Sequence, residues 1–491
     1  MHYSYCIGRN LDLGNDKQKG GRKIASGAFL LVIVGLGTLA TSFANGSTNI
    51  ALPILREYFD ITVSQSTIIT ISFSLVGAIL TLPLGRIGDL IGYKKMYVGG
   101  IIANIIGTVL TGVFARTMVM FIVFRAIMAL GNSMVMSVTQ ALLQRSFPPE
   151  KRGQIMGINS AMLSATGLIS PLLGGLILDN YNWMAVYYAT IPVAVIVLIL
   201  VLIFMEDFRG TKIRIDYGGA LLLVVFLSSL MLVLNGRVLK FNTTIMIVLG
   251  VICLIGLLLF ILRERKCSFP LIDLKIFKYK KFALGNVAFF VGYATSGILG
   301  TSLTYYINYT RGYTSTITSL FVMIHGFMMA LMASFTGTLS DKIGPLKLSV
   351  AGAFFQMAGL FGYAFAAPTS SDVFLAIMLF VYGFGSGLFY APTTSMVMGA
   401  IPVEMGGVAS GTMSTMRNIG GGIGTTFFSL MVAGYAARHS GMGIGEAESY
   451  VIALHTILLI CGAAFFVAMC LMIYLLINDT RKKKADALSV K

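Results

Sequence analysis

Long apolar runs follow one another along the whole chain, at residues 25–55, 62–88, 96–115, 118–144, 153–178, 184–205, 217–236, 243–262, 282–309, 314–340, 346–367, 373–401, 406–437 and 449–477. A helix of about 20 apolar residues crosses the hydrocarbon core of a bilayer. In lipid such a helix satisfies its backbone polar groups internally. The pattern therefore predicts fourteen transmembrane helices joined by short polar segments, with few residues left for a soluble domain. Arg22 and Lys23 stand ahead of the first run as they would in a signal peptide. That run is too long, however, and continues into NIALP (49–53) without a cleavage site, so it reads as the first span.

Composition sharpens this picture. Of 491 residues, 56% are hydrophobic and 11% charged, against about 25% charged in soluble domains. The formal net charge of +17 would suggest a polyanionic partner in a soluble chain, but the placement of the charges points elsewhere. With both ends on one side, 28 of the 36 Lys and Arg fall in segments on that side, 6 on the other, and 2, Arg125 and Arg417, inside spans. This is the positive-inside bias, so both termini are expected in the cytoplasm, the chain in the cell membrane, and no nucleic acid as partner. The five cysteines have no paired spacing, and neither a disulfide framework nor a metal site is expected. No nucleophile with its base and no phosphate-binding Gly loop with Lys is present, so no enzyme and no cofactor are expected; a membrane-embedded enzyme or scaffold is the remote alternative.

The segment GRIGDLIGYKK (85–95) returns in altered form as GTLSDKIGPLK (337–347). Gly85, Asp89 and Gly92 match Gly337, Asp341 and Gly344 at an offset of 252. EKRGQIMG (150–157) and EMGGVASG (404–411) share Glu, Gly and Gly at an offset of 254. Two concordant offsets indicate duplication. The implied division is a tail (1–24), a six-helix bundle (25–206), two added helices with linkers (207–270), a second six-helix bundle (271–478) and a second tail (479–491). Transporters built from repeats hold substrate between the halves near the midplane, an arrangement better suited to rocking than to a continuous pore.

Local chemistry gives these motifs candidate roles. Gly85 and Gly92 let a helix end approach its neighbour, while Asp89, among the basic Arg86 and Lys94, can accept hydrogen bonds from an adjoining helix start. That makes a charged latch; the plain alternative is a turn with topogenic charges. In predicted span 5, Gly167, Gly174 and Gly175 permit close backbone packing, and Pro171 removes a helical hydrogen bond. Arg125 lies about 10 Å along predicted span 4 at ~1.5 Å per residue, where a guanidinium needs a partner or water.

Together these segments resemble the major facilitator superfamily, and within it the fourteen-span drug/proton antiporter family. GRIGDLIGYKK resembles the signature loop after span 2, FRAIMALG (124–131) the span 4 motif, SATGLISPLLGG (164–175) the span 5 antiporter motif, and NIALP the end of a span 1 motif. The resemblance implies an all-α major facilitator fold of fourteen helices (6 + 2 + 6) in two pseudo-symmetric bundles. It further implies alternating access, gated by Gly85, Arg86, Asp89, Gly92, Lys94, Gly337, Asp341 and Gly344, and export of amphipathic or hydrophobic compounds with possible proton coupling. Ser170 stands where the motif has Gly before Pro171, and Ala44 aligns with the family's span 1 Asp.

All 19 Asp and Glu fall in tails, loops or the two signature turns, none in mid-span. The embedded candidates for substrate binding or coupling are therefore Asn45, Asn49, Arg125, His325, Arg417 and Asn418, a set that favours anionic or zwitterionic groups over cations. His325 can titrate near neutrality or serve as a neutral helix contact. The partners expected are a small amphipathic molecule or a lipid, membrane lipids and protons, with the chain acting as a monomer. Translocation of a lipid or lipid-linked anion on the same fold is the alternative to drug export.

Overall fold

The computed structural model describes residues 27–147, 152–206, 216–236, 241–267, 274–366, 370–401, 406–439 and 446–489. The expected tails and much of both linkers around residues 207–273 lie wholly or partly outside these segments. Among the described residues fourteen α-helices cover the fourteen apolar runs: α1 (Gly27–Phe59), α2 (Val63–Ile91), α3 (Tyr93–Phe114), α4 (Met118–Ser146), α5 (Arg152–Asn180), α6 (Trp183–Phe204), α7 (Tyr217–Asn235), α8 (Thr243–Lys266), α9 (Lys280–Tyr305), α10 (Ser315–Ile343), α11 (Pro345–Ala364), α12 (Asp372–Met398), α13 (Gly406–His439) and α14 (Glu446–Ser489). Among the described residues no strand occurs.

Nine of these helices are long and apolar enough to span a membrane on those grounds alone, and the bent α2 makes a tenth. The remainder include α5 and α13, whose many Gly, Ser and Thr make them less apolar. The bend in α2 is 51°, between Thr81 and Pro83. Pro83 has no N–H to donate and its ring crowds the preceding turn. In contrast, α5 runs unbroken through Pro171.

The helices of each half pack on one another, and the halves meet chiefly where α2 lies against α13 and α5 against α10. The α7–α8 hairpin packs over α2 and α13, with Ala78, Ile79, Leu223, Leu227 and Phe260 in one apolar cluster. Most of α8 is uncovered, as a lipid-facing helix requires. Asp216 caps α7 through the Gly219 N–H and receives Arg263 of α8 on both carboxylate oxygens at 2.8 and 3.0 Å. That Arg263 hydrogen bond, more than any other influence, holds the Asp216 carboxyl below the usual range.

The duplication extends to atoms. Thr62 and Thr314, 252 residues apart, cap α2 and α10, each accepting from the backbone N–H three residues on. Thr117 and Ser371, 254 apart, do the same for α4 and α12. A Cβ at Gly100 in α3 would stand 2.8 Å from the Gly131 carbonyl oxygen in α4, and one at Gly352 in α11 would stand 2.8 Å from the Gly385 carbonyl oxygen in α12. At the same crossings Asn104 and Gln356, again 252 apart, are fully buried with neither amide atom partnered. Small residues let the helix backbones touch, which is how helices associate where lipid offers no hydrophobic drive.

Candidate functional site

The two signature turns have one conformation. Gly92 ends α2 at φ 102°, ψ 141°, and Gly344 ends α10 at φ 94°, ψ 142°, each donating its N–H to the carbonyl four residues back. A side chain at that φ is strained, so the glycine match in the sequence has a backbone cause. Asp89 accepts from the Tyr93 hydroxyl in the first turn of α3 at 2.7 Å, and the Lys94 ammonium donates to the Leu202 carbonyl of α6 at 2.9 Å. Gly85 lies beside Ser137 of α4. The latch chemistry expected at the second turn falls on Gly337 and Asp341, whose side-chain surroundings lie outside the described set.

Along α5 the small residues face two partners. A Cβ at Gly174 would meet Ser47 of α1 at 2.6 Å, and one at Gly175 would meet the Ser315 carbonyl of α10 at 2.7 Å. Gly167 faces open space. Ser170, where the motif has Gly, is received by Gly46, whose added Cβ would stand 2.7 Å from that of Ser170; the Ser47 hydroxyl donates to the Ser170 carbonyl at 2.7 Å. The lost glycine in α5 is thus matched by one in α1.

At the end of the bundle opposite the signature turns, the halves touch through polar groups. Asp179 at the end of α5 accepts from the Ser315 and Thr316 N–H groups that open α10, at 2.9 and 2.8 Å. A carboxylate there meets the positive end of the helix dipole. Partial burial alone would raise the Asp179 carboxyl, but hydrogen bonds from Thr316, Ser315 and Thr314 outweigh it and hold the group below the usual carboxylate value. The hydroxyls of Ser66 in α2 and Tyr305 in α9 also bond across the halves.

Arg125 is fully enclosed. Its guanidinium donates to the Thr48 hydroxyl at 2.7 Å and to Asn45 Oδ1 at 2.8 Å, both on α1, and reaches the Tyr187 hydroxyl of α6 at 3.5 Å. The rings of Phe73 and Phe121 lie 5.4 and 5.8 Å from it. Every acceptor is neutral, and Nε has none. Asn49 accepts from Thr70 of α2 at 3.1 Å. Ala44, where a family carboxylate would align, is buried and apolar.

In the second half Arg417 is only half-buried. It donates to Ser414 Oγ of its own helix at 3.1 Å and faces the Tyr293 phenol of α9. Tyr293 packs on Tyr390 of α12 with ring centroids 4.7 Å apart, and Phe289 lies 5.2 and 5.7 Å from the two. The His325 ring in α10 lies tilted against that of Tyr382, with centroids 4.9 Å apart, and 3.4 Å from the Ser386 hydroxyl, both on α12. Asn418 sits at the seam, its Nδ2 3.3 Å from where a Cβ of Gly77 in α2 would be.

A family model described as Major Facilitator Superfamily matches residues 34–425. The chain belongs to that superfamily. The chain is 26% identical over 447 residues to the riboflavin transporter RibZ of Clostridioides difficile, covering 91% of this chain and 96% of that one. It is 29% identical over 409 residues to the multidrug resistance protein Stp of Mycobacterium tuberculosis, covering 82% and 76%. It is 27% identical over 429 residues to the multidrug export protein EmrB of Escherichia coli, covering 85% and 83%. Among solved structures, an inward-facing, unoccupied bacterial homologue of the lysosomal transporter Spinster superposes with a TM-score of 0.66 at 15% identity over 91% of this chain and 96% of that one, which shows the fold.

Of the residues singled out from the sequence of this superfamily member, the structure groups Arg125 with Asn45, while Asn49 bonds instead to α2. Arg417, Asn418 and His325 lie on α13 and α10, with His325 turned to α12. Sequence reasoning missed Tyr293 and Tyr390. They stand on separate helices in a chain with 21 Tyr and 33 Phe, so no spacing marks them out.

Proposed function

We propose that this superfamily transporter exports amphipathic compounds across the cell membrane by alternating access, with both termini cytoplasmic and the Asp179 end of the bundle outside. The observation that carries the reading is the pair of cross-half seams. Gly175 of α5 lies against α10, and Asp179 binds the α10 N-terminus through two hydrogen bonds that a rocking motion can break without opening a core. Relatives named as multidrug proteins support export, and a relative named as a riboflavin transporter widens the range of cargo. The signature turns at Gly92 and Gly344 serve as the cytoplasmic gate in this reading.

A second feature bears on cargo charge. Among the described residues the charged groups deep within spans are Arg125 and Arg417, and no carboxylate faces either. This favours neutral or anionic cargo, a lipid-linked anion included. His325, with a hydroxyl at 3.4 Å as its polar partner, is the candidate for proton coupling. The test is flux in proteoliposomes with a pH gradient, using amphipathic fluorescent dyes of both charge signs. Neutral or anionic dyes should move faster than over empty vesicles, and His325→Gln should remove the response to the gradient. No flux of any dye would overturn export; flux indifferent to every ion gradient would overturn coupling.

A further inference from the structure

The two embedded arginines use their hydrogen-bonding capacity very differently. A guanidinium carries five N–H donors. Those of Arg125 meet Thr48, Asn45 and Tyr187 in a space closed to solvent, with an aromatic ring nearby on either of two helices. Arg417 is half-buried; it donates to Ser414 Oγ, a turn away on the same helix, and to the Tyr293 phenol of α9. It lies roughly 16 Å along α13 at ~1.5 Å per residue, far from either helix end.

Beside Arg417 stands a cluster of three aromatic rings. Tyr293, Tyr390 and Phe289 have centroids within 5.7 Å of one another across α9 and α12. The Tyr390 hydroxyl is buried without a hydrogen-bond partner. Such a group costs free energy unless something joins it. A planar carboxylate matches the guanidinium fork, and aromatic side chains prefer offset or edge contact with another ring.

We propose that Arg417, with the Tyr293, Tyr390 and Phe289 rings, forms a subsite for planar aromatic anions, the charged group on the guanidinium and the ring against the three aromatics. This deepens the transporter reading and rests on it. A phospholipid headgroup would engage Arg417 but has no ring for the platform, so the aromatic anion is the better fit. Arg125, already enclosed, holds its own bundle together and takes no cargo.

The test uses the full-length protein in lipid nanodiscs and equilibrium dialysis with 2-naphthoate. 2-Naphthylmethylammonium serves as the charge control, cyclohexanecarboxylate as the ring control and short-chain phosphatidate as the lipid control. Naphthoate should bind best. Arg417→Gln should weaken it by about tenfold or more, the factor that goes with losing a charge-assisted hydrogen bond, and Arg417→Lys should restore part of the loss. Tyr390→Leu should weaken naphthoate more than cyclohexanecarboxylate. Equal naphthoate affinity in wild type and Arg417→Gln overturns the subsite, as does equal binding of the ammonium compound. Phosphatidate binding tighter than naphthoate replaces the aromatic anion with a lipid and overturns it too. Should Arg417→Gln not fold, Arg417→Lys and Tyr390→Leu carry the same comparison. Flux of a neutral dye by the wild-type protein leaves the transporter reading standing even if the subsite fails. Naphthoate binding without flux of any compound sinks the transporter reading alone.

Discussion

The two halves share a backbone plan and spend their embedded charge differently. In the first, Arg125 is wrapped by α1, α6 and two phenyl rings. In the second, the position 254 residues on is Leu379, also buried, and the charge sits instead on α13 at Arg417, half-exposed beside Tyr293. Duplication thus preserved what holds helices together, the caps, glycine crossings and tight turns, while the charged groups diverged. Packing between two given helix backbones has few solutions, whereas a cavity can be lined in many ways.

The sharpest way to break this comparison keeps the charge and changes the shape. In Arg125→Lys a compact ammonium replaces the planar fork that spans Thr48 and Asn45, and an under-partnered buried charge costs about 3 kcal/mol. Thermal unfolding of the purified protein should show that loss, while Arg417→Lys should stay within about 0.5 kcal/mol of wild type, as surface-like substitutions do. Equal losses would erase the distinction between the halves.

The next test probes what the halves have in common. Gly131→Ala would press a methyl to 2.6 Å from the Asn104 nitrogen, and Gly385→Ala to 2.5 Å from the Gln356 nitrogen. Overpacking of this kind costs about 1–3 kcal/mol, and the two variants should lose similar stability, with Gly167→Ala, which meets nothing within 4 Å, close to neutral.

The smallest effect concerns the contact between the halves. The Asp179 carboxyl is held below its ordinary value by the hydrogen bonds it accepts. Its stabilisation of the α5–α10 contact is therefore full above the ordinary carboxyl value and lost as pH falls through the lowered one. Distances between spin labels at Tyr181 and Val373, both exposed at that end, should lengthen or broaden on acidification, and Asp179→Asn should show part of that change at neutral pH. Distances indifferent to pH would show that the Asp179 charge does not hold the α5–α10 contact.

Much of this was legible in the chain. The Gly92 and Gly344 match could be read because a positive φ admits few residues, so geometry leaves a mark at one position. Arg125 stood out because a charge in an apolar run is costly. Its acceptor Asn45 was among the candidates, but Thr48 and Tyr187 were not, since hydroxyls on apolar helices usually bond their own backbone, as Thr38 and Thr41 do here. Pro171 stood out as a residue that removes a helical hydrogen bond, yet α5 runs through it as one helix, and the 51° bend lies at Pro83 of α2.

The sequence by itself determined the membrane class, the placement of the helices and the duplication. Each depends on quantities local to a segment: apolar length against bilayer thickness, and glycine where the backbone demands it. Only the tertiary structure decided which arginine is enclosed and which stands open. That outcome depends on side chains that three or four separate helices bring to one point, and no spacing along a single chain records their meeting.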